Sequence, residues 1–184
     1  MSLARNFHRE VFEVVTKLLV NAGISMAPIP IKKIAENCGA SVLAYNLGEE
    51  VSGVLVVEAG KGTIGYNSSN HKVRQRFTIA HELGHLLLHV SANNKSEELF
   101  VDKDFIVKFR SEKQYSPKEA KQEREANAFA AAILMPKELI LKEVRNEKYI
   151  GFNETTLIEE LAKLFEVSVP AMTYRFADLN IFAY

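Results

Sequence analysis

The chain has no tryptophan, a single cysteine, and no run of 18 apolar residues. The last two each remove a class of protein. One cysteine, Cys38, cannot build an intramolecular disulfide framework, which fits a reducing cytoplasm. Cys38 lies in AENCGA and reads as a small buried residue near a helix end. Without a long apolar run, no membrane-spanning helix is expected. The opening MSLARNFHREVFEVV carries charges through its apolar positions, so it is not expected to act as a signal peptide. No charge sign prevails: Lys+Arg and Asp+Glu are 23 each. Nothing therefore marks a nucleic-acid or membrane surface. No internal repeat is found. What remains is a 184-residue chain, long enough to bury a sizeable core.

Apolar positions Phe7, Val11, Val14, Val15, Leu18 and Leu19 have helical spacing, ended by Gly23. Pro30 opens a short helix, Ile31 to Asn37, closed by Gly39. This stretch resembles half of a helix-turn-helix, but without basic excess it reads as packing. From Ser41 the period changes. Residues 41–46, 51–58 and 63–67 are short, β-branched or aromatic, and predict strands. Leu47–Glu50 and Ala59–Gly62 look like hairpin loops between them. Residues 91–116 start polar, and alternation at Phe105, Val107 and Phe109 suggests a further strand, as a flap or an edge. Pro117 opens a strong helix to Leu134, with Ser116 as N-cap and Glu119 three residues after it. A helix over about 137–143 follows, then the loop NEKYIGFN, then helices over 154–165 and 168–179.

The chemistry lies in RFTIAHELGHLLLH, residues 76–89. His81 and His85, four apart, fall about 40° apart around a helix, so both imidazoles can meet one metal ion. Glu82 lies at the edge of that face. This is the arrangement that hydrolysis by a zinc-activated water requires, with Glu82 as the base. Two buried histidines and a glutamate are awkward in a plain core, where each polar group needs a partner. His89 lies about 12 Å along the helix axis from His81, too far to share the ion. It reads as a partly buried group behind the site.

A third ligand should be a carboxylate or histidine, and Glu119, Glu123 and Glu125 are the candidates beside His89. On the helix from Pro117, Glu123 and Asn127 share a face. Glu123 could hold the metal while Asn127 orients a ligand histidine through its other ring nitrogen. Glu125 is the alternative. It lies about 200° around the helix from Glu123, so only one of the two is expected to point inward. Arg74 and Arg76, read as preceding the histidine helix, could bind substrate or pack on the sheet. Tyr66, Tyr174, His71 and Arg175 could assist a developing oxyanion, but no spacing selects among them.

RQRFTIAHELGHLLLH followed by EREANAFAAAILMP resembles the ImmA/IrrE-type family of zinc metallopeptidases. The likeness extends back through Val51-Ser52-Gly53 and IGYNSS and forward to FEVSVPAMTYRFADLNI. It implies an α+β fold, with a small, mainly antiparallel sheet packed on the active-site helix and on a second, glutamate-bearing helix. A C-terminal helical region follows. One metallopeptidase domain is expected over 1–184, with N-terminal helices over 1–40, a catalytic core over 41–136 and C-terminal helices over 137–184. The resemblance carries over His81 and His85 as ligands of one Zn2+ per chain, Glu82 as base and Glu123 as third ligand. It also implies a cytoplasmic, regulatory endopeptidase of narrow specificity whose substrate is a protein partner such as a helix-turn-helix repressor encoded nearby. Any DNA-binding partner is expected to be a separate protein. The alternative is a non-catalytic module that keeps the fold and controls a repressor or antitoxin by contact. The stretch IEELAKLFEVSVPAMTYRFADL also reads like a helix-turn-helix. Its only basic residues are Lys163 and Arg175, so packing or partner docking is expected rather than direct nucleic-acid binding.

Overall fold

A computed structural model describes residues 2–90, 97–103 and 116–182. Chain contacts divide it into two compact units, Pro30–Ala130 and Met1–Ile29 with Ala131–Tyr184.

The first unit is built on a four-stranded mixed sheet, β1 (Ser41–Tyr45), β2 (Val51–Glu58), β3 (Lys61–Asn67) and β4 (Glu97–Lys103), in the order β1-β3-β2-β4. β2 and β3 form a hairpin in which Glu58 pairs with Lys61. Its two-residue turn needs positive φ twice, at Ala59 (48°) and Gly60 (77°). The expected hairpin at Leu47–Glu50 is not formed, because β1 pairs with β3, in parallel. The tight β2–β3 turn claims one edge of β3, and β1 takes the other. The connection from β1 must then cross the sheet end to reach β2. Asn67 secures it: its amide donates to the carbonyls of Gly48 and Val51 (2.9 Å to Val51), and its Oδ1 accepts from Ser69 N–H and Oγ–H. Two of the three strand pairings are antiparallel, so the mainly antiparallel α+β fold stands. β4 is an edge strand upstream of the alternating residues 105–109, which lie outside the described residues.

Pleating gives the sheet two different faces. Val42, Leu55, Val57 and Ile64 are buried on one side, whereas Leu43 and Tyr45 on the other are nearly half exposed. On the buried face lie α2 (Ile31–Asn37) and α3 (Lys72–His85). Helix α3 continues as a π turn, Leu86–Val90. It starts earlier than the sequence suggested: His71 caps it, accepting from Val73 N–H, so Arg74 and Arg76 lie inside the helix. Helix α4 spans Pro117–Leu134. Its capping box is closed both ways, Ser116 N–H to Glu119 Oε2 (2.8 Å) and Glu119 N–H to Ser116 Oγ (3.2 Å).

The second unit is helical. α1 (Ser2–Asn21) buries Val11, Val15 and Leu19, one turn apart. Its end is a Schellman turn at Gly23 (φ 65°), with Ile24 N–H on Leu19 O and Gly23 N–H on Val20 O. α5 (Lys137–Val144) and a 3₁₀ turn, Glu147–Tyr149, lead to α6 (Glu154–Phe165) and α7 (Val169–Asp178). Asn153 caps α6 and Ser168 caps α7 through their side-chain oxygens. Leu157, Leu161, Phe165, Met172 and Phe176 form buried stripes on these helices. The two basic residues of this helix pair are both engaged. Lys163 pairs with Glu160, and Arg175 donates to Met135 O (3.0 Å) and Asp178 Oδ2 (2.7 Å). Burial lowers the pKa of Arg175, with Asp178 opposing that shift. No described helix is long and apolar enough to cross a membrane.

Candidate metal centre

Every residue of α3 from Thr78 to His85 is buried, so this helix is enclosed all round rather than along one stripe. Two glycines allow that enclosure. On the sheet side, a Cβ at Gly53 of β2 would fall 2.2 Å from Thr78 Cγ2 and 3.5 Å from Glu82 Oε1. On the other side, a Cβ at Gly84 would fall 3.2 Å from Ala126 Cα and 3.1 Å from Phe129 Cδ1 of α4. The missing side chains let β2, α3 and α4 stack closely, with Glu82 against the sheet and the histidines toward α4.

The histidine face meets the carboxylates of α4. His81 Nε2 and His85 Nε2 are 3.1 Å apart. Each is 3.6 Å from a Glu123 carboxylate oxygen, His81 from Oε2 and His85 from Oε1. One ligand atom from each of the three residues lies within 4.8 Å of the others, so the group could hold a metal ion. Ligand atoms about 2.0–2.2 Å from one tetrahedral ion lie roughly 3.3–3.6 Å apart, close to the spacings found. His81 Nδ1 is 3.0 Å from Asn127 Oδ1. An amide oxygen accepts, so Nδ1 carries the proton and Nε2 presents a lone pair. His81 Nε2 thus turns its lone pair toward His85 Nε2 and Glu123, the side on which a cation held by all three would lie. The donor set, two imidazoles and a carboxylate, is one that zinc takes.

Glu125 does not join this group. Its Oε2 is 3.1 Å from His89 Nε2, and His89 Nδ1 is 3.0 Å from His85 Nδ1. The expectation that only one of the two glutamates points inward is therefore corrected. Glu123 and Glu125 flank the ridge of Ala126 and Ala130 from opposite sides. At Gly84 the helices come so close that a carboxylate on either flank reaches a histidine. The helical wheel alone missed this, because it ignores how near the neighbour lies. The signal that could have found it was the third histidine at the same four-residue spacing.

Other candidates are dispersed. The sheet has a bulge at Ser52, between the pairs Val51–Lys103 and Gly53–Asp102. Ser52 is 1% exposed, and its Oγ accepts from Arg74 Nε (3.1 Å) and Nη2 (2.9 Å). Arg74 thus ties α3 to the sheet, and sequence reasoning did not foresee its partner. Arg76 is half-buried on α3. Tyr66 is half-buried on β3, directly across from Gly53, which places it on the face toward α3. His71 serves as the cap of α3. Tyr174 lies in the helical unit on α7 and is 78% exposed, while Arg175 is held by Met135 and Asp178.

Known proteins bear on this arrangement. A protein of Bacillus phage phi105, named uncharacterized immunity region protein 2, is 28% identical over 121 residues, which is 64% of this chain and 65% of its own length. The solved structure of a Mycobacterium tuberculosis transcriptional regulator superposes with a TM-score of 0.61 at 14% identity, over 92% of this chain and 46% of that one. That is a likeness of fold. The chain thus spans just under two thirds of the phage relative and under half of the regulator. Residues 35–177 match the peptidase M78 family, described as the IrrE N-terminal-like domain. Since that match runs from α2 almost to the end of α7, the chain belongs to this peptidase family.

Proposed function

We propose that the protein is a zinc-dependent endopeptidase of narrow specificity that acts in regulation, cleaving a protein partner such as a helix-turn-helix repressor. The observation that carries the reading is the meeting of His81, His85 and Glu123 on one side of α3 with Glu82 buried beside them. The immunity-region name of the phage relative and the regulator title of the solved structure support a setting in gene control.

His81, His85 and Glu123 would hold the ion through Nε2, Nε2 and the carboxylate. When bound, zinc supplies Lewis-acid polarisation of the scissile carbonyl and lowers the pKa of water. Glu82 takes a proton on a carboxylate oxygen and returns it to the departing amine nitrogen. It is fully buried beside the two histidines. Asn127 keeps the His81 proton on Nδ1 and so leaves Nε2 to ligate. Tyr66 is a candidate for holding a substrate carbonyl, from its place opposite Gly53 on β3. Arg76 remains a candidate for a contact with a longer substrate.

Glu82→Gln is the test. It should leave the zinc content at the parental level and abolish cleavage of a verified substrate. Cleavage at the parental rate refutes the mechanism. Release of the partner that survives both Glu82→Gln and zinc removal establishes the non-catalytic regulator instead.

A further inference from the structure

Behind the two histidines the structure holds two unequal supports, both ending on α4. The first is direct and neutral: Asn127 Oδ1 on His81 Nδ1. The second is indirect and ends in a charge: His85 Nδ1 on His89 Nδ1, then His89 Nε2 on Glu125 Oε2. His89 is buried at 4% exposure, on the π turn that extends α3. The side chain of Glu125 is 16% exposed, and its other oxygen lies 3.6 Å from the outward Lys121.

Proton placement along this row follows from its end. A carboxylate can only accept, so His89 Nε2 carries a proton and donates it to Glu125. A neutral His89 then has a bare Nδ1, which must accept. His85 Nδ1 must therefore donate, and its Nε2 is left with a lone pair facing His81 and Glu123. With neutral imidazoles, reversing either of these two hydrogen bonds would set two lone pairs or two N–H groups against each other at about 3 Å. We propose that His89 and Glu125 are positioning residues, a two-member brace that holds His85 in its ligating tautomer and orientation. This inference rests on the proposed zinc site. It extends the usual histidine–carboxylate support of a metal ligand by one imidazole. It also accounts for both glutamates of EREAN: one meets the metal-side nitrogens, and the other anchors the back.

The test uses the full chain and zinc alone, titrated against a chromophoric chelator, with thermal melting of the metal-free protein followed by circular dichroism. His89→Phe and Glu125→Ala should each weaken zinc binding roughly 10–100-fold. Glu125→Gln keeps an acceptor for the Nε2 proton and should lose less than Glu125→Ala. Lys121→Ala should bind as the parent does. A merely structural role would lower the melting temperature of the metal-free protein and leave the zinc affinity of the folded variants unchanged, which overturns the proposal. Long-range ¹H–¹⁵N spectra of the zinc-loaded parent need no variant: His89 should be protonated at Nε2 and bare at Nδ1, and the reverse overturns the proposal. His81→Ala separates the two levels. If it keeps parental zinc affinity, the zinc site itself falls, and the brace with it. If it loses zinc while His89→Phe and Glu125→Ala stay within about twofold of the parent, only the brace is refuted.

Discussion

Replacing Gly53 by alanine tests how the sheet positions α3. The added Cβ would lie 2.2 Å from Thr78 Cγ2, against an ordinary carbon–carbon contact of about 3.5–4.0 Å. Some 1.3–1.8 Å must be recovered. The Cβ cannot retreat across the sheet, because Gly65 O lies 3.1 Å away. Thr78 is β-branched on a helix and has few rotamers to escape into. β2 and α3 must therefore part. Overpacking of this kind costs roughly 1–3 kcal/mol, which for a chain of this size is about 2–4 °C of melting temperature per kcal/mol. With no tryptophan in the chain, the unfolding midpoint is best followed by far-ultraviolet circular dichroism. Thr78→Ser removes the clashing methyl. It should destabilise the parent slightly but stabilise the Gly53→Ala protein, a coupling of roughly 1 kcal/mol or more. Glu82 lies beside the same contact, and a displacement of about 1 Å can cost 10²-fold in rate. On the proposed function, proteolysis should therefore fall further than the loss of folded protein explains. An unchanged midpoint for Gly53→Ala, or Thr78→Ser having the same sign in both backgrounds, refutes the reasoning.

Three further outcomes follow from named contacts. Gly84→Ala sets a Cβ 3.1–3.3 Å from Phe129 and Ala126 but gains helix propensity of about 1 kcal/mol, so it should be near neutral; Gly84→Val adds bulk without that gain and should cost roughly 1–3 kcal/mol by urea denaturation. Ser116→Ala breaks the reciprocal cap at the start of α4 and should cost about 1 kcal/mol in the same assay. Burial raises the Cys38 thiol pKa, so the thiolate fraction is smaller at any given pH and alkylation at pH 8 should be slower than for an exposed thiol, speeding up as pH rises; a rate equal to that of a free thiol refutes the assignment.

Several features were legible in the residues alone because their causes are local. Helix α4 begins where Ser116, Pro117 and Glu119 say it should, since a capping box needs only neighbouring atoms. α6 and α7 start at Asn153 and Ser168 for the same reason. The four-residue spacing of His81 and His85 sets their common face without help from the rest of the chain. Where contacts are distant, the reading stopped short. Leu47–Glu50 has the composition of a hairpin loop, yet β1 joins the far edge of β3 because the tight Ala59–Gly60 turn has already joined β2 to the near one. His71, Arg74 and Arg175 carry chemistry suited to a site, yet they are spent on a helix cap, on Ser52 and on Met135 with Asp178.

The sequence by itself determined the two helices that matter and the residues on them, since periodicity and caps are properties of a few adjacent residues. Only the tertiary structure decided what those residues meet. Gly53 and Gly84 remove side chains where β2, α3 and α4 would otherwise collide, and the resulting closeness brings Glu123 to His81 and His85 and Glu125 to His89. Interhelical distance is a product of packing over the whole unit, and no spacing within one helix encodes it.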